Sequence, residues 1–187
     1  MSRGRPQEIP MPASPRNLRL LSGLCLVLAF ALPAFVLYYL VASPPEVLAE
    51  KFGIPAASPP VPLELATWHR AAIVVLGLLP VLCMAFGLAH ARRCFQSFSR
   101  REYFTLEVVQ GLRGLALGFF FSGMLGLLVT PVLSLLVTLS AAPGGRSITL
   151  NVDSTNLLTM LFAGLVWQIS AVVAKAVMLA EENSQFV

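Results

Sequence analysis

Two histidines and three cysteines are the side chains of this 187-residue chain best suited to metal or nucleophile chemistry. Their spacing supports neither. His69 and His90 stand at opposite ends of one uncharged apolar run, and a helix across that run would hold them roughly 30 Å apart. They cannot share an ion. Cys25 and Cys83 fall inside such runs and Cys94 just after one, with no Cys-x-x-Cys or mixed Cys/His spacing, so zinc or redox chemistry has no ligand set. No H-E-x-x-H, G-x-S-x-G or phosphate-cradling glycine loop occurs. No Asp or Glu lies within an uncharged run, and ion-coupled carriers usually need one there. The chain reads as non-catalytic, with no cofactor and no metal.

What remains chemically is positive charge. Arg92, Arg93, Arg100 and Arg101 crowd one short stretch, and Lys175 is the basic residue that interrupts the last predicted helix. Guanidinium and ammonium groups at such places suit anionic lipid headgroups or a partner's carboxylates. Lys175 lies before Glu181, roughly 9 Å from a helix end, so its stem can carry the ammonium to the membrane surface. The net charge of +4 comes from these clustered arginines, so it reports orientation in a membrane and implies no nucleic-acid partner. Cys94, beside the cluster, is the natural thiol for labelling that side.

The elements that must position these groups are four uncharged hydrophobic runs, Leu20 to Val41, Ala71 to Ala89, Gly114 to Ala142 and Ser154 to Ala174. Each is long enough, at about 1.5 Å per residue, to cross the roughly 30 Å of a bilayer's hydrocarbon. At 57% hydrophobic and 12% charged residues, the chain has too little charge to cover its apolar surface in water. The fold class read from this is an all-α membrane protein, a four-helix transmembrane bundle with helices at about 18–42, 70–91, 106–141 and 154–182. Residues 1–17 read as a disordered basic cytoplasmic tail, and 18–187 as a single transmembrane domain. The first run is too long for a secretory h-region and no A-x-A site follows it, so it reads as a retained helix.

Arg3, Arg5, Arg16 and Arg19 precede the first run, and Arg92, Arg93, Arg100, Arg101 and Arg113 lie between the second and third. The opposite connections carry Lys51, Arg70 and Arg146. The positive-inside rule therefore places both termini and the central connection in the cytoplasm. The first outer connection, rich in proline, and the alternating Ser147 to Asp153 segment suggest a small extracytoplasmic cap with a short β-hairpin. Val47 and Leu48 suit a short surface helix there.

Gly114, Gly118, Ser122 and Gly126 recur every four residues on the third run, the spacing that lets another helix approach closely. The stripe serves contact with another helix of the same bundle, contact with a second copy in a homodimer, or a groove for a ligand or partner protein. Pro33, Pro80 and Pro131 sit inside runs and should bend their helices. Thr105 is placed to cap the third helix, with Glu107 in its first turn.

The phrase Arg101-Glu102-Tyr103-Phe104-Thr105, followed by Val108, Leu112 and Arg113, resembles the "G-x-x-F-T-x-x-N-V-x-x-L-R" stretch of the bacterial membrane family DUF 2975. The ending Leu179-Ala180-Glu181-Glu182-Asn183-Ser184-Gln185-Phe186-Val187 resembles that family's "L-x-E-E-N-x-x-F-V" tail. The likeness spans roughly residues 70–187; Glu102 and Glu107 depart from the usual glycine and asparagine. It implies a four-helix protein of the bacterial inner membrane with no established activity. Some relatives are encoded beside small helix-turn-helix regulators, which implies a sensing or regulatory role. Both motifs fall at cytoplasmic helix ends, so Phe186 and Val187 are expected to fold back on Phe104, and Glu181 or Glu182 to face the arginines. The sequence thus leads to an accessory or regulatory subunit embedded in lipid, with a small-molecule or lipid transporter as the alternative.

Overall fold

The computed structural model of the protein describes residues 15–44, 47, 67–100, 105–138 and 153–184. They form four long helices: α1 (Pro15–Ala42), α2 (Thr67–Ser99), α3 (Leu106–Thr138) and α4 (Ser154–Ser184). Among the described residues there is no strand; the expected cap, with its hairpin and surface helix, lies almost entirely outside them. Each helix contains a stretch long and apolar enough to cross a membrane, at Asn17–Ala42, Ala71–Ser99, Leu106–Leu133 and Ser154–Ala180. Phe30 is 73% exposed and Leu158 67%. Surfaces of this kind are stable against lipid and not against water. The chain is an integral, multi-pass membrane protein.

The helices lie in a row. Substantial packing joins α1 to α2, α2 to α3 and α3 to α4, and no other pair of helices among the described residues. Neighbours run antiparallel: Leu40 near the end of α1 meets Gly77 early in α2, and Gly126 late in α3 meets Asn156 early in α4. The start of α1, the α2–α3 connection and the end of α4 therefore share one end of the molecule, the hairpin end. A closed four-helix bundle would also seat α4 on α1. Among the described residues α1 and α4 are therefore the edges of the row.

Helix ends follow local chemistry. Asp153 caps α4: its Oδ1 accepts the Thr155 amide at 3.0 Å, and its carbonyl accepts the Asn156 amide at 3.1 Å. The sequence pattern had assigned Asp153 to the end of a strand. Thr105 does stand at the N-cap of α3, where its carbonyl accepts the Val108 amide at 3.1 Å. Its hydroxyl, however, is buried without a hydrogen-bond partner, so it does not cap the helix with its side chain. Pro33, Pro80 and Pro131 lie inside α1, α2 and α3, which continue through them; membrane helices tolerate proline where neighbours compensate the freed carbonyls.

The largest departure from the sequence reading is the length of α2. Charge suggested an end near residue 91, yet the helix continues to Ser99. Arginines mark where a helix leaves the hydrocarbon, not where it ends. Nothing between His90 and Ser99 breaks a helix, and Ala91, Cys94 and Ser97 are buried at helical spacing. The end is satisfied locally, with the Arg100 amide donating to the Ser97 carbonyl at 3.0 Å and Ser99 Oγ donating to the Gln96 carbonyl at 2.7 Å. Arg92 and Arg93 are helical residues, and the connection to α3 is correspondingly short.

Candidate functional site

The small-residue stripe of α3 divides between two neighbours. Gly111, Gly114 and Gly118 face α2, whereas Gly123 and Gly126 face α4. A methyl group added at Gly118 would lie 2.5 Å from Gly87 Cα and 2.7 Å from the Cys83 carbonyl. One added at Gly126 would lie 2.6 Å from Asn156 Oδ1. Ser122 is half-buried between the two sets. The stripe is therefore used within the chain, by two helices in succession. The α2 side of the seam, Gly87, Ala91, Cys94 and Ser97, carries the same small-residue signal; the sequence reading passed over it because arginines interrupt it.

Close approach makes the seam specific. Cys94 is 4% exposed, and its thiol donates to the Val108 carbonyl at 3.4 Å. Buried in this way, it is a poor labelling site, contrary to its expected use as a surface thiol. Ser97 Oγ donates to Glu107 Oε2 at 3.2 Å, tying the last turns of α2 to the first turn of α3. The Glu107 carboxylate also sits where the positive end of the α3 dipole favours it.

Beside this seam, the hairpin ends of α2 and α3 form a polar groove of about 580 Å³. From α2 come Phe86, His90, Arg93 and Gln96, with Arg100 just after it; from α3 come Glu107, Gln110, Arg113 and Leu117. His90 Nδ1 donates to the Phe86 carbonyl at 3.0 Å, and its ring lies over Gly114. The Arg113 guanidinium stands 5.8 Å from the centre of the Trp167 ring of α4, a cation–π distance. Three guanidinium groups and two amides converge on the groove against a single carboxylate, an arrangement that attracts anions.

Other candidates lie elsewhere. Arg92 does not line the groove, and its Nε is buried without a hydrogen-bond partner. Leu112 is half-buried on α3. Lys175 is exposed on α4, away from the groove. Glu182 is exposed near the end of α4. Glu181 and Asn183 belong to α4, but their side chains lie outside the described residues, as do Arg101, Phe104, Phe186 and Val187; the expected fold-back of the tail falls there too. Among the described residues no three His, Cys, Asp or Glu side chains are grouped to hold a metal.

Comparisons with protein-family models, with curated proteins and with solved structures find no match to this chain. The likeness to DUF 2975 rests on the quoted motifs alone.

Proposed function

We propose that the protein is a non-catalytic accessory or regulatory subunit of the bacterial inner membrane, with both termini and the α2–α3 hairpin in the cytoplasm. The observation that carries this reading is the open row of helices. Among the described residues the edge helices α1 and α4 each pack substantially on one neighbour and present long apolar faces, including Leu20, Phe30 and Phe35 on α1 and Leu158, Leu161 and Val172 on α4. Edges of this kind suit lateral association with another membrane protein or a second copy. Cytoplasmic placement of the hairpin follows from its arginines. A sensing or regulatory role accords with the resemblance to DUF 2975. The transporter alternative requires a polar path through the membrane centre, whereas among the described residues no substantial packing joins α1 to α4 to enclose one.

Purification in a mild detergent followed by native mass spectrometry tests the proposal. A membrane-protein partner or second copy at fixed stoichiometry is the expected result. A monomer that retains a small metabolite would overturn it in favour of transport.

A further inference from the structure

We propose that the α2–α3 groove binds the phosphate of an anionic phospholipid, with an acyl chain lying in the apolar furrow that continues from it along both helices. The inference is independent of the subunit reading. Arg113 stands beside Trp167, and Lys175 follows Trp167 on α4 by about eight residues, so Arg113 lies roughly 12 Å deeper than Lys175 from the hairpin end. Gly114 meets His90, which places Arg93 close to the same level on α2. The two central helices therefore carry guanidinium groups at a depth where α4 is still uncharged. Guanidinium groups at the hydrocarbon boundary, level with an uncharged stretch of α4, suit an anionic headgroup as counter-charge, and among the described residues no ion pair engages Arg93, Arg100 or Arg113.

The lining then selects the ligand. Phosphate oxygens accept from guanidinium and amide donors of the kind presented by Arg93, Arg100, Gln96 and Gln110. Phe86 and Leu117 are the apolar lining residues furthest from the hairpin end. Beyond them, Leu82, Leu79 and Val75 follow Phe86 at helical spacing, and Phe121, Met124 and Leu128 follow Leu117; all six are exposed. Residues three and four apart share a helix face, so the polar groove opens directly into an apolar furrow. A donor-rich head continuous with an apolar track matches an amphiphile. A soluble phosphate would use only the head of the site.

The full-length protein, purified in detergent, is offered phosphatidylglycerol, phosphatidylcholine of matched chains, or inorganic phosphate. Retained lipid is read by native mass spectrometry and stabilisation by thermal unfolding. Phosphatidylglycerol should be retained about tenfold over phosphatidylcholine, and Arg93→Gln/Arg100→Gln should remove most of that preference. Arg92→Gln/Lys175→Gln, outside the groove, should keep it. Equal retention by the groove variant overturns the proposal, as does inorganic phosphate stabilising as strongly as the lipid. Phe86→Trp, which keeps every arginine, supplies a second readout. Brominated-chain phosphatidylglycerol should quench its added fluorescence more than brominated phosphatidylcholine does, and equal quenching sinks the lipid site even if the arginine variant fails to fold.

Discussion

Glycines within the helices face opposite outcomes at the scale of single residues. At Gly118 a new side chain meets the α2 backbone, with Gly87 Cα at 2.5 Å and the Cys83 carbonyl at 2.7 Å. Backbone cannot rotate aside, so Gly118→Leu should force α2 and α3 apart and cost about 2 kcal/mol or more. At Gly164 nothing lies within 4 Å. There Gly164→Ala should be neutral, or stabilising by up to about 1 kcal/mol through helix propensity. Thermal unfolding in one detergent checks both, and similar melting temperatures for the two variants would refute the seam. The helix starts give a second pair. Asp153 Oδ1 accepts a helix amide, so Asp153→Ala should cost about 1 kcal/mol. The Thr105 hydroxyl is buried and unpartnered, so Thr105→Val removes an uncompensated polar group and should be neutral or stabilising. If Thr105→Val instead destabilises as much as Asp153→Ala, the hydroxyl caps α3 after all.

The four elements were largely legible, because apolar runs of bilayer length have few other solutions. Their limits and neighbours were less so. The arginines after Ala91 mark a change of solvent, and a helix does not stop at such a change while small residues such as Cys94 and Ser97 still find a partner. The α3 stripe looked like one face because Gly114, Gly118, Ser122 and Gly126 share a period of four. Such a row drifts around a straight helix by about 40° per step, far enough for its two ends to reach different neighbours. The arginines of the groove were visible in the sequence, but their meeting with Gln96, Gln110 and Trp167 depends on helix register, which no local pattern encodes. The burial of Cys94 follows from that same register. Cys94 should therefore stay unmodified by a membrane-impermeant maleimide even in opened membranes, while rapid labelling of native Cys94 would mean that the hairpin seam opens.

For the whole molecule, antiparallel packing fixes relative placement. The start of α1, the end of α4 and the α2–α3 connection must emerge on one side of the membrane, whichever side that is. On the proposed orientation charge selects the side, because Arg16, Arg19, Arg92, Arg93, Arg100 and Arg113 belong to that end, and basic residues resist translocation. Since Cys94 is a poor reporter, the test needs an exposed position at the hairpin end outside the seam and the groove. Glu182, exposed near the end of α4, meets that need. In a variant with the three native cysteines changed to alanine, Glu182→Cys should react with an impermeant maleimide only after the cells are opened. Labelling of intact cells would invert the orientation, carrying the arginine groove to the outer leaflet while leaving the order and packing of the helices unchanged. A single thiol thus separates what helix packing determines from what charge determines.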